Sequence, residues 1–148
     1  MPTFDQQVSA ILDKKLDEIT EFIYAESQIN LEKNGTTDTG FLAETSNVNL
    51  KKFLDKEIVY SAPYAINIEY GSEPHPVNLK TIVNPNKKGK KNIQVPVLYD
   101  WTRRKLGKSA KDAVGVSYAI AHKIKLRGTE PQPFLRPAMQ SAKARYGR

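Results

Sequence analysis

The chain has 148 residues, a net charge of +7 and no cysteine. That length suits one domain, residues 1–148, with a core of its own. The missing cysteine rules out disulfides, thiolate chemistry and cysteine-based zinc sites. No apolar run reaches the ~18 residues of a membrane span, and Met1–Thr20 lacks the basic-then-apolar layout of an export signal. The expectation is a soluble protein made in the cytoplasm, with no membrane partner. The charge is polarised. Residues 1–79 hold six Lys/Arg against thirteen Asp/Glu, a net of −7, and residues 80–148 hold seventeen against three, a net of +14. Such asymmetry points to nucleic acid, to acidic partners, or to copies of the chain stacking acidic on basic. The plainer alternative is a basic tail and an acidic helix face that keep the protein in solution.

The elements follow in chain order. Phe4, Val8, Ile11, Leu12, Leu16, Ile19, Phe22, Ile23 and Ile29 recur at three-and-four spacing and predict a helix from Phe4 to Lys33. Thr3 and Gln6 form a capping box, and Asn34-Gly35 supplies the stop. At about 1.5 Å per residue this helix spans roughly 45 Å. That is long for a small domain, so part of its face is expected to meet a sheet or another subunit. Gly35–Gly40 reads as a loop, after which Phe41 and Leu42 re-enter the core. Alternation predicts two antiparallel strands, about Ser46–Leu54 and Glu57–Ser61, joined by a polar turn at Asp55-Lys56-Glu57. Tyr64–Gly71 predicts a short helix.

Residues 84–92 form a basic loop around Lys87, Lys88, Lys90 and Lys91, with strands expected at Leu79–Val83 and Ile93–Val95. Pro96 is expected to open a helix running to Leu106, with Gly107 as the stop. Ser109 and Asp112 cap a helix to about Leu126, in which the small Gly115, Ala119 and Ala121 allow another backbone to approach. Thr129–Pro133 is a stiff extended strap, because each proline fixes its own φ and restrains the residue before it. Pro137 is expected at a helix start, Phe134 and Leu135 anchor strap and helix, and Leu135–Tyr146 is helical with a basic, frayed end at 143–148. The whole reads as an α+β fold: a long N-terminal helix on a small antiparallel sheet, with further helices in the C-terminal half.

Catalytic patterns are weak. Asp38-Thr39-Gly40 has the tripeptide of a dimeric aspartic protease, in which two carboxylates share a proton, but it follows a long helix rather than the apolar strand such a site needs. His75 and His122 lack carboxylates at ligand spacing, so no metal site is expected. There is no phosphate-binding glycine loop and no serine nucleophile elbow, and no cofactor is expected. Glu69 stands in an apolar segment, and Arg136 is the one charge in Phe134–Met139. An ion pair between them would satisfy both. The lysine loop has no interleaved aromatics, which argues against base-stacking recognition and leaves duplex phosphate contact or a solvated loop.

Three segments in order carry a resemblance. They are Asp38-Thr39-Gly40-Phe41-Leu42, then Tyr64-Ala65 with Glu69-Tyr70-Gly71, then Pro133-Phe134-Leu135-Arg136-Pro137-Ala138. Over Phe4 to about Ala142 the chain resembles the head–tail joining or tail-completion proteins of the tailed-bacteriophage neck, the minor tail components. It departs from that pattern at Thr36 and Thr37, where proline and valine are common, and at Phe41, where arginine is usual. The resemblance implies a non-enzymatic virion protein that forms a ring, usually hexameric. The portal, adaptor or head-completion proteins would lie on one side and the tail terminator or tail tube on the other, with DNA passing through. In that setting Lys87, Lys88, Lys90 and Lys91 would face a partner or the DNA. The alternatives are a tail terminator ring that caps the tube and, in another class, a basic duplex-binding protein.

Overall fold

The structure is a computed structural model that describes residues 1–35, 39–86 and 91–147. It is a mixed helix-and-strand chain: α1 (Phe4–Lys33), α2 (Phe41–Glu44), β1 (Ser46–Lys52), β2 (Asp55–Tyr60), α3 (Ala65–Tyr70), β3 (Leu79–Val83), β4 (Asn92–Pro96), α4 (Tyr99–Leu106), α5 (Ala110–Arg127) and α6 (Leu135–Tyr146). The strands form two separate antiparallel pairs, β1–β2 and β3–β4. The chain gathers into two compact units, residues 1–70 with 131–148, and residues 71–130.

In the first unit, α1 is the spine. Thr3 and Gln6 close the expected capping box at its start. One side of α1 carries the β1–β2 hairpin. Tyr24 Oη lies 2.9 Å from Ser46 Oγ near the open end of the hairpin, and Asp13 accepts the Leu54 amide at 2.6 Å at its tip. Another side carries α6, which runs antiparallel to it. Asn30 donates to the Phe134 carbonyl at the start of α6, and Phe22 meets Tyr146 edge-on at its end, with ring centres 5.6 Å apart. Leu31, Leu42, Ala62, Ala65 and Phe134 are buried together, with Tyr60, Ile68 and Leu135 packed round them. Tyr146 packs on α1, so the helical end holds where fraying was expected.

In the second unit, Val95, Tyr99 and Ala113 form the buried cluster, joined by Ile82, Ile93 and Val114. Ser109 caps α5 through the Asp112 amide, as its spacing predicts. A short bridge, Ser72 to Thr129, ties the two ends of this unit. Gly128, at φ +71°, sits against it so closely that a Cβ would lie 1.8 Å from the Ser72 carbonyl oxygen. Only glycine fits there.

Three local expectations change. The turn between β1 and β2 is Phe53-Leu54, and Asp55, Lys56 and Glu57 belong to β2. The pairing of Lys52 with Asp55 fixes this register. The reason lies in Lys56, which points with Ile58 and Tyr60 towards α1 and finds carboxylates there. Pro96 ends β4 instead of opening α4, which starts at Tyr99. Pro137 is the third residue of α6 rather than the first. A helix leaves its first four amides without internal acceptors, so proline is tolerated there as well.

Candidate functional site

The carboxylate of Glu69 is the joint of the first unit. It ends the short α3 and points at the start of α6. One of its oxygens accepts the amides of Phe134 (2.7 Å) and Leu135 (2.9 Å), and the other accepts the Arg136 amide (3.0 Å) and Arg136 Nε (2.9 Å). Arg136 Nη2 returns a bond to the Glu69 carbonyl at 2.8 Å. The expected Glu69–Arg136 pair is therefore present, and it belongs to a larger arrangement. Phe134, at the N-terminal boundary of α6, offers no side-chain cap, so a glutamate from another helix supplies the negative charge that the exposed amides attract. Glu69 is buried and the Arg136 side chain is half-exposed, its guanidinium 4.7 Å from the Tyr70 ring centre. Burial pushes the Glu69 pKa up, but the amides of Leu135, Phe134 and Arg136, with the Arg136 side chain, hold it below the ordinary value.

The remaining motif residues surround this joint. Ala65 and Phe134 lie in its core, Ala138 is fully buried, and Leu135 and Pro137 are half-buried. Tyr64 is partly exposed beside Phe41, with ring centres 6.3 Å apart. Gly71 takes φ +76° to leave α3. The strap is held from both sides. Asn34 donates to the Gln132 and Pro133 carbonyls, and the Gln132 amide donates to the Ile68 carbonyl at 2.7 Å. Thr39 is exposed, Gly40 caps α2 at φ +79° and Leu42 is buried. Asp38 lies outside the described residues, as do Lys87, Lys88 and Lys90, while Lys91 is exposed. Among the described residues no group of His, Asp or Glu could hold a metal.

A second constellation escaped the sequence reading. Lys56, its side chain 3% exposed, places its ammonium 2.8 Å from Asp13 and 2.9 Å from Asp17 of α1. Hydrogen bonds to Asp13 and Asp17 raise the Lys56 pKa, and the bonds from Lys56 and from the Leu54 amide lower that of Asp13. The clamp locks the hairpin on α1 and holds Phe53 and Leu54 out at its tip, 61% and 43% exposed. The available signal was the alternation Lys56, Ile58, Tyr60, which puts the lysine on the inward face. The basic residues of α4 and the following turn, Arg103, Arg104 and Lys108, line an open cleft with Asp100 and Gly107 in the second unit.

No protein-family model, curated protein or solved structure matches the chain.

Proposed function

We propose that this chain is a structural protein of the tailed-phage neck, a ring component that joins the DNA-filled head to the tail tube or completes the tail. The observation that carries the reading is the Glu69 joint. Two of the three segments behind the resemblance, Tyr64–Gly71 and Pro133–Ala138, meet at one carboxylate that serves four donors. Its acceptor capacity is spent on fixing the start of α6, which suits a scaffold better than a general acid. Charge supports self-assembly. Residues 71–130 hold thirteen Lys/Arg against four Asp/Glu, a net of +9, and α1 holds seven Asp/Glu against three lysines. Surfaces of opposite sign on one chain favour head-to-tail contacts, which close into rings when the rotation permits.

The test is addition of the purified protein to isolated tails and to DNA-filled heads, followed by electron microscopy and joining assays. A ring at the tail end that restores head attachment is expected. Failure to bind either particle, with duplex DNA bound by the monomer and released steeply by salt, would replace this reading with the nucleic-acid one.

A further inference from the structure

On α1, positions 4, 8, 11, 15, 18 and 22 fall in one line, because steps of three and four return to the same face. The second half of that line is covered. Lys15 lies 4.7 Å from the Tyr146 ring centre, Glu18 interacts with Tyr146 and Arg145, and Phe22 packs edge-on to Tyr146. The first half is bare. Phe4, Val8 and Ile11 are 77%, 38% and 68% exposed, and neighbouring Leu12 is 53% exposed. The apolar track on which α6 lies thus runs on beyond Tyr146 for two turns.

The hairpin tip adds to the same end of α1. A two-residue hairpin loop ordinarily takes Asn-Gly or a similar pair. Here it takes Phe53-Leu54, with Leu54 at φ 55°, an unusual backbone state for a branched apolar residue. Neither turn geometry nor the core calls for two large apolar side chains at that place. The Asp13–Lys56–Asp17 clamp nevertheless holds them firmly.

We infer that this composite face, Phe4, Val8, Ile11 and Leu12 with Phe53 and Leu54, is the seat for α5 of a second copy of the chain. The choice of occupant follows from charge and shape. The face lies on an acidic helix, and residues 71–130 are the strongly basic part of the chain. Within them α5 presents an outward line of Lys111, Gly115, Ala119, His122 and Leu126. Four are exposed polar or small residues, and Leu126 is 61% exposed. A Cβ at Gly115 would meet nothing within 4 Å, so a second helix has room to approach there. Acidic α1 against basic α5 is a heterologous contact, which repeats from copy to copy. The inference rests on the reading above only in taking the chain to self-assemble.

The absence of cysteine makes the test direct. Single-site variants Ile11→Cys and Gly115→Cys are mixed and oxidised, with Ile11→Cys plus Glu57→Cys as the control pair. A covalent dimer linking positions 11 and 115, absent from the control, is expected. Light scattering should show self-association weakened about tenfold or more by Ile11→Glu, and weakened again by salt. Cross-linking of position 11 only to itself would overturn the α5 assignment. So would a protein that stays monomeric at its highest soluble concentration and gives no cross-link. Self-association unchanged by Ile11→Glu would overturn the face, as would loss of tail binding in that variant without loss of self-association. The neck reading is judged separately, on tail addition by the unmodified protein. Its failure leaves the cross-link result standing.

Discussion

Replacing Glu69 with glutamine changes one oxygen for an amide group and removes one charge. Each carboxylate oxygen serves two donors, so in either orientation the new NH2 faces two N–H groups that have lost their acceptor. The side chain will keep its oxygen towards the Phe134 and Leu135 amides, because Phe134 is the buried partner. The Arg136 guanidinium is half-exposed and can turn to water, which leaves one orphaned amide and the loss of charge assistance. At about 1–3 kcal/mol for an unsatisfied buried donor, Glu69→Gln should cost about 2–3 kcal/mol, and Glu69→Ala about 3–5 kcal/mol. Arg136→Ala should cost no more than about 1 kcal/mol, since solvent screens an exposed partner. Denaturant unfolding at neutral pH measures all three. The pH dependence gives a second check. Glu69 has its folded pKa below the ordinary 4.5, so below that value the unfolded chain binds the extra proton first. The stabilisation is complete above 4.5 and drains away as pH falls through the folded value. The gap between the parent protein and Glu69→Gln should narrow over that window. A Glu69→Gln protein within about 0.5 kcal/mol of the parent, or a gap that widens on acidification, would refute the joint as drawn.

Gly128→Ala should destabilise residues 71–130 by on the order of 2–4 kcal/mol, because its Cβ would collide with the Ser72 carbonyl. Amide exchange at the Ser72–Thr129 bridge should show it first. Ser109→Ala should cost about 1 kcal/mol through the lost cap on α5. Lys56→Met alone should destabilise the hairpin, because it leaves Asp13 and Asp17 facing each other without a cation. Adding Asp13→Asn and Asp17→Asn should recover much of the loss, and thermal melts of the series decide it. Leu54→Asn should stabilise the monomer by up to about 1 kcal/mol by easing the positive φ, while weakening self-association measured by light scattering.

The long-period signals were legible. The spacing of Phe4 to Ile29 predicted α1 to the residue, the Ser109 and Thr3 caps were in place, and Leu79–Val83 stood out by alternation. The Glu69–Arg136 pair could be read because each was the lone charge in an apolar stretch, and such charges must find partners. What failed was the hairpin turn, and the cause is specific. Asp55-Lys56-Glu57 looks like turn chemistry, but Lys56 has two carboxylates one helix away, and no local rule sees them. The reverse also held. Phe53-Leu54 looks like strand, yet forms the turn. Local chemistry was overruled by a tertiary ion pair in one direction, and in the other by a demand that the folded monomer itself does not show.

The charge asymmetry also reads differently once the chain is folded. By halves of the sequence the second part carries a net of +14, and the basic end of α6 contributes to that figure. In the structure α6 lies on α1, where Tyr146 and Arg145 meet Glu18 and Phe22. Part of the sequence-level imbalance is therefore neutralised inside the first unit, which retains a net of only −2 against +9 for residues 71–130. The positive field that reaches solvent belongs to residues 71–130, with its exposed arginines and lysines on α4 and α5. Exposed charges lose their reach beyond about 8 Å at physiological salt. This field can therefore act on a neighbouring copy or on nucleic acid only at contact distance. An assembly that uses it must bring the bare acidic end of α1 against it, and not merely near it.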